Sequence, residues 1–208
     1  GLEHKMGIHG NATCVMAYEN AKGWLIGEEG RGMNNMFVVM NEARLGTGLQ
    51  GLAIGDAAYQ AAVEFANDRL QGRALTGAKN PDGPADPIMV HPDVRRMLMT
   101  MRAQIEAQRA LSYYTATALD RASTHPNPEE KARNQALVNF LIPIVKGWNT
   151  EQANEITSLG VQVHGGMGFI EETGAAQYYR DARITAIYEG TTGIQALDLI
   201  GRKLASEK

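Results

Sequence analysis

Beyond the first thirty or so residues the chain returns to an apolar side chain at every third or fourth position. Met33, Met36, Phe37, Met40, Ala43 and Leu45, then Leu49, Leu52, Ala53, Ala57, Ala61 and Phe65 keep this rhythm, which predicts one long helix, or two nearly collinear ones, ending near Asn67. Gly46, Gly48, Gly51 and Gly55 interrupt it. A glycine inside a helix costs about 1 kcal/mol against alanine, so several near one stripe point to close approach by another backbone or a ligand. The other reading is a break near Gly46. Residues 78–87, with Pro81, Gly83, Pro84 and Pro87, can continue no element and form a loop long enough to be functional. A second helix begins near His91-Pro92 with Val94, Met97, Leu98, Met101, Ile105, Leu111, Ala118 and Leu119 on one face, Gln108 and Thr115 being its polar entries. A third starts with Asn127 as cap, Pro128 in the first helical position and Glu130 where a capping box places an acid. It runs through Leu137, Leu141, Val145, Trp148, Ile156 and Leu159 toward Gly165, with a kink expected at Pro143. A last helix covers roughly 191–205.

These elements predict an all-α, four-helix, up-and-down bundle over residues 31–208. Residues 1–30 read differently. Residues 13–18 and 23–27, separated by the polar Glu19-Asn20-Ala21-Lys22, suggest a hairpin. Two short strands are marginal alone, so this segment is expected to be the β remnant of a preceding domain, with residues 28–32 as the linker out of it.

Composition narrows the class. The 208 residues are 44% hydrophobic and 21% charged, with a net charge of −3, which supports a sizeable core and gives no pull toward nucleic acid or anionic lipid. Cys14 is the only cysteine, so neither an internal disulfide nor a cysteine metal site can form. No apolar run reaches the length of a membrane span and no signal-peptide pattern opens the chain, so a soluble, cytoplasmic protein is expected. The chain opens at Gly1 in mid-pattern, as a piece of a longer protein would.

Gly46-Thr47-Gly48-Leu49-Gln50-Gly51 matches G-x-G-x-x-G. In a dinucleotide-binding fold that motif follows a strand, whereas here it continues a helical pattern, so the Rossmann reading is set aside. His4, His9, His91, His125 and His164 show no metal spacing, and the ten methionines read first as core filler. The C-terminal third is denser. Gly165, Gly166 and Gly168 exceed what one helix stop needs, and such a turn exposes amides to a phosphate or nucleotide. Glu189 lies among Ile187, Tyr188 and Gly190, where it is either a solvated loop acid or a carboxylate suited to general-base work.

The order Gln162-x-x-Gly165-Gly166-x-Gly168-Phe169, Arg180-Asp181-Ala182, Ile187-Tyr188-Glu189-Gly190-Thr191 resembles the C-terminal signature of the acyl-CoA dehydrogenases. Lys5-Met6-Gly7-Ile8 with Thr13, and Gly27-Glu28-x-x-x-Gly32, resemble the end of that family's middle β-domain. Arg44 with Gly51 resembles its first bundle helix, and Arg69-x-Gln71-Gly72 its flavin-clamping turn. The resemblance covers essentially the whole chain. It implies a flavoenzyme that binds FAD, converts an acyl-CoA to its trans-2-enoyl-CoA and passes two electrons to an electron-transfer flavoprotein. It also implies that Glu189 takes the α-proton, that its backbone amide with a flavin ribityl hydroxyl holds the thioester carbonyl, and that Arg44, Tyr188 and Gly190 lie at the substrate. By the same resemblance Arg69, Gln71, Gln162, Gly165, Gly166 and Thr191 hold the cofactor, with a homodimer or homotetramer sharing each flavin between two subunits.

Some positions depart from the pattern. Gly72 and Arg73 replace the usual aromatic after the arginine turn, and Gly193 stands where many members carry glutamine or glutamate. Some members place the base just before the residue matching Arg44; here that position is Ala43, which favours Glu189, with Glu42 one step away as the competing base. The Arg-Leu-Gln-Gly-Arg turn, the proline-rich loop and Gly7-Ile8-His9-Gly10 look most like the large bacterial members acting on 3-methylthiopropanoyl-CoA or similar short thioesters. The family's N-terminal helical domain and most of its β-domain have no counterpart in these residues, so the chain is expected to carry the base without a whole active site and to be inactive alone. An oxidase of the same fold and a non-catalytic oligomerisation module remain as alternatives.

Overall fold

A computed structural model describes residues 1–205; residues 206–208, the end of the expected bundle domain, lie outside them. Helix α1 spans Gly32–Asp68 without a break at Gly46. Its glycines explain why. An added Cβ would meet Val145 Cγ1 at 2.7 Å from Gly48, Asn149 O at 3.0 Å from Gly51 and Ile156 Cδ1 at 3.3 Å from Gly55. The G-x-G-x-x-G is therefore a seam between two helices, and the close packing it permits offsets the helix-propensity cost. Buried positions Arg44, Gly48, Gly51, Gly55, Ala58, Ala62 and Ala66 define the inward face of α1. Of the apolar stripe read from the sequence, Leu45 and Leu52 are buried with this face, whereas Met33 and Met36 are exposed and small residues fill most of the contact with α3.

Helix α2 (Pro92–Thr124) and helix α3 (Pro128–His164) each begin with proline at N1. Asn127 caps α3, its Oδ1 accepting from the Glu129 amide at 2.8 Å, and Pro143 does not break the helix. Only residues 125–127 join α2 to α3, which forces them antiparallel. Gln104 meeting Glu155 and Ser112 meeting Asn149 agree with that direction. Because Gly48, Gly51, Gly55 and Gly160 pair in rising order with Val145, Asn149, Ile156 and Ala58, α1 and α3 run parallel. Met97, Leu98, Met101, Ile105 and Ile156, with Leu52, Ala62 and Ala66, form the main core, as the sequence pattern of α2 expects.

The end of the chain departs from expectation. A short helix α4 (Ala175–Arg183), unforeseen in the sequence, follows two 3-10 turns and a left-handed Gly174. The expected helix over 191–205 is instead helix α5 (Thr192–Leu197) followed by a π-helical stretch, Asp198–Leu204. Thr192 beside Glu151 and Gln195 beside Gly147 set α5 antiparallel to α3, completing an up-down-up-down arrangement with α4 as an extra piece. The predicted hairpin is not formed. The described residues hold only two isolated bridges, Leu2 to Cys14 and Leu70 to Pro87, and Trp24 and Ile26 are exposed, since two short strands find no sheet face to cover them. No helix among the described residues is long and apolar enough to cross a membrane.

The seam makes a sharp prediction. Gly51→Ala, whose new methyl would press on the Asn149 carbonyl, should destabilise the bundle by about 1–3 kcal/mol. Gly46→Ala, where nothing lies within 4 Å, should stabilise it by up to about 1 kcal/mol. Urea unfolding of the two variants checks the opposite signs.

Candidate active site

After α4 the chain makes a 3-10 turn (Ile184–Ala186) and then reverses over residues 187–190 before α5 starts. Glu189 occupies left-handed backbone space at φ 56°, and Gly190 follows at φ 90°. For a non-glycine residue such a conformation costs about 1–3 kcal/mol and persists only where its surroundings over-determine it. Here they do. The Lys146 Nζ donates to the Gly190 carbonyl at 2.5 Å, and the Gln195 Nε2 donates to the carbonyls of Glu189 (3.2 Å) and Gly190 (3.1 Å). Thr191 caps α5, its hydroxyl accepting from the Ile194 amide at 3.4 Å. The Tyr188 hydroxyl donates to Gln50 Oε1 on α1.

Underneath lies a buried ionic cluster. Arg44 Nη1 and Asp198 Oδ2 are 3.0 Å apart, both nearly out of solvent, so the expected neighbour of Glu189 is bonded to a different carboxylate. Arg44 still belongs to the same site, because its charge acts on Lys146. Burial, then the Arg44 charge, push the Lys146 ammonium down to about 8, while Glu151 and Glu189 work in the opposite direction. The Glu189 carboxylate itself is half-buried and has no hydrogen-bond or ion-pair partner among the described residues. The competing Glu42 is exposed on α1.

Beside this turn a mostly apolar cleft of about 470 Å³ is lined by Met6, Ile8, Ile184, Ile187 and Tyr188, with Lys5 and Arg183 at its edge. The N-terminal segment closes one wall by docking on α4: the Ile8 amide donates to Asp181 Oδ1 at 2.6 Å, and Gly7 lies so close to Arg180 that a side chain there would clash.

A second groove, of about 320 Å³, lies at the far ends of α1 and α3 and brings together Arg69, Gln71, Gly165 and Gly166. Its floor includes Phe65 and His164, whose rings stack 4.4 Å apart. Gln162 is exposed one turn earlier, its carbonyl accepting from the Gly165 amide. Thr191 does not reach this groove: from Lys146, beneath the turn, to His164 is about 27 Å along α3. Hence the six cofactor residues expected from the sequence fall into two groups. The groove suits the diphosphate-nucleoside half of FAD. Arg69 has no ion-pair partner among the described residues, and the space beside Gly165 (φ 59°) and Gly166 is open where a Cβ would intrude. A cationic donor without an opposing carboxylate beside two aromatic rings matches an anion with a base attached. No cluster able to hold a metal ion is found among the described residues.

The loop bearing Arg69 and Gln71 is organised by one acid. Asp86 accepts from the amides of Ala74 (2.8 Å), Asn80 (2.7 Å) and Lys79 (2.9 Å), with Arg73 at 3.4 Å. These donors, the Ala74 amide foremost, hold its carboxyl at about 2 against burial. The neighbouring strand-like contact, Gln71 amide to Asp86 carbonyl at 2.9 Å, sets the clamp residues at the groove. Sequence reasoning missed Asp86, Gln195, Asp198 and Lys146. Lys146 alone carried a signal, a lysine inside the apolar run Leu141-Ile142-Pro143-Ile144-Val145.

Asp86 is charged more readily in the folded state than out of it, so the stability it contributes is complete above an unfolded value of about 4 and is lost as pH falls through about 2. Thermal melts across that window should show a loss of stability in the natural protein and a flatter response in Asp86→Asn, which should be the less stable protein at neutral pH.

Residues 30–205 match the family model described as "Acyl-CoA dehydrogenase, C-terminal domain". The chain is 55% identical over 203 residues to 3-methylmercaptopropionyl-CoA dehydrogenase of Ruegeria pomeroyi, covering 98% of this chain and 34% of that protein. It is 41% identical over 212 residues to a broad-specificity linear acyl-CoA dehydrogenase of Mycobacterium tuberculosis, covering 100% of this chain and 35% of that protein. An acyl-CoA dehydrogenase of Bacillus anthracis solved in complex with FAD superimposes with a TM-score of 0.83 at 29% identity, over 98% of this chain and 34% of that one. The chain thus spans about a third of the length of these relatives.

Proposed function

The chain belongs to the acyl-CoA dehydrogenase family through its C-terminal domain, and from that premise we propose that it is the base-bearing part of an FAD-dependent enzyme that dehydrogenates a short acyl-CoA to the trans-2-enoyl-CoA. The observation that carries this reading is Glu189, an unpartnered carboxylate on a strained, multiply held turn beside an apolar cleft. Its carboxylate takes the α-proton, made acidic by the thioester, and its backbone amide holds the thioester oxygen as charge develops there. Tyr188 and Gly190 flank it at the substrate, and Arg44 stands behind as part of the buried cluster. FAD, when bound, supplies the two-electron acceptor for the hydrogen lost from the β-carbon.

Arg69, Gln71, Gly165 and Gly166 hold the diphosphate-nucleoside end of the cofactor, with Gln162 alongside, and Thr191 serves the other end. The separation of these two groups along α3 favours a homodimer or homotetramer in which two chains contribute to one flavin. The identity to the Ruegeria pomeroyi enzyme favours 3-methylmercaptopropionyl-CoA or a similar short thioester as substrate, a bacterial cytoplasmic setting, and an electron-transfer flavoprotein as acceptor.

In the FAD-loaded enzyme, Glu189→Gln should slow flavin reduction by about 100-fold to 10,000-fold, the range general-base catalysis supplies, with little change in thioester binding. Glu42→Gln should stay near the natural rate. Anaerobic stopped-flow bleaching of the flavin decides between them, and fast reduction in Glu189→Gln would sink the assignment. Separately, Arg69→Ala removes a charge-assisted bond to the diphosphate and should weaken FAD binding by about 10- to 100-fold, read by fluorescence titration of the apoprotein.

A further inference from the structure

Lys146 is the largest side chain wholly shielded from solvent, at 0% exposure, and it lies in the middle of α3. A buried lysine ordinarily bends its ammonium to water or meets a carboxylate. This one does neither. No carboxylate lies within ion-pair distance of it among the described residues, and its one hydrogen bond runs to the Gly190 carbonyl, directly after Glu189. As a device for stability alone this is costly, because an apolar side chain of the same length would avoid the desolvation of a cation. What the ammonium does instead is grip the backbone that carries the left-handed Glu189.

Resting on the reading of Glu189 as the base, we propose that Lys146 is a positioning residue for it, fixing the Glu189–Gly190 turn from inside the bundle through the Gly190 carbonyl. Gln195 is the neutral second donor, to the Gly190 carbonyl and also to that of Glu189. Two donors from two helices, α3 and α5, hold the turn from different directions, which is what a base needing a fixed place requires. The groups around the ammonium are Arg44 from α1, Glu151 from α3 itself and Glu189 from the turn, with Asp198 and Arg202 paired behind Arg44 and Tyr188 beside Glu189. Within that set Arg44 is paired with Asp198, and the carboxylates whose charge acts on Lys146 are Glu151 and then the base itself, neither of them in an ion pair among the described residues. Above pH about 8 the ammonium loses its charge and the charge-assisted bond becomes an ordinary one, loosening the hold.

The test is anaerobic reduction of the FAD-loaded enzyme by butyryl-CoA, followed across pH in wild type, Lys146→Met, Lys146→Arg, Gln195→Leu and Glu189→Gln. Lys146→Met should load FAD and bind butyryl-CoA as wild type does, but its limiting rate should fall by about 10- to 100-fold, the cost of a slightly misplaced catalytic group. The inflection near pH 8 should vanish in this variant. Lys146→Arg, a donor that stays charged, should recover part of the rate without restoring the inflection. If Lys146→Met fails to fold, Gln195→Leu carries the test, with a lower limiting rate at unchanged affinity. A wild-type rate and pH profile in Lys146→Met, or in its absence a wild-type rate in Gln195→Leu, overturns the proposal while an inactive Glu189→Gln leaves the base assignment standing. Wild-type reduction in Glu189→Gln overturns both.

Discussion

The distance between α1 and α3 governs the rest of the molecule. With glycine at positions 48 and 51 the α1 backbone lies directly against the α3 backbone, and at Gly55 it leaves room for the Ile156 side chain. That contact is reinforced by Asn149, whose amide nitrogen donates to the Gly48 carbonyl at 3.2 Å and to the Ser112 hydroxyl at 2.8 Å, tying all three long helices at one level. At ordinary helix spacing of 8–10 Å the side chains of α3 would reach only to the surface of α1. Drawn closer, α3 carries Lys146 into the interior at the level where α1 supplies Arg44, and both come to lie under the turn that bears Glu189.

Burying two cations there has a consequence for the C-terminal segment. An Arg44 left without a counter-ion would be strongly destabilising, so the chain beyond α5 must return an acid to it. Asp198 does so at 3.0 Å, and the backbone opens from α to π pitch at that residue. A single π-type widening is a common way to re-aim one side chain without ending a helix. The ion pair thereby ties the segment after Glu189 to the first helix, closing the turn between two fixed points: α4, docked through Asp181 on the N-terminal segment, and the Arg44–Asp198 pair.

Much of this was legible in the residues, and the failures are instructive. The lengths of α1, α2 and α3 followed from period and from Asn127-Pro128 and His91-Pro92, because caps and prolines act locally. The inward face of α1 followed only in part, at Leu45 and Leu52, because the rest of its packing uses glycine and alanine, which carry little hydrophobic signal. The hairpin was misread for the opposite reason: Val15, Trp24 and Ile26 have strand character, but strand character without a sheet face to cover makes no strand. Helix α4 escaped notice because nine residues with two buried alanines give no clear stripe. Glu189 could be singled out from its neighbours and from family resemblance, yet its support could not, since Lys146, Gln195 and Asp198 act on it or on Arg44 across 6 to 154 residues of chain.

The two candidate regions use opposite designs. Around Glu189 the backbone is in left-handed space and the Glu189 and Gly190 carbonyls are held by buried donors, so the main chain is fixed while the carboxylate oxygens stay unengaged. At the far ends of α1 and α3 the loop is held instead by an acid, Asp86, that collects amides, while the side chains of Arg69 and Gln71 make no hydrogen bond among the described residues. A base must be fixed before its substrate arrives, because misplacement enters the barrier directly. A cofactor clamp must keep its donors unsatisfied, because every bond made within the chain is one that the diphosphate would have to displace. On the proposed reading the same bundle meets both demands, with its internal hydrogen bonds on the main chain of one candidate site and on the loop beneath the other, and the Glu189 and Arg69 side chains left without partners among the described residues.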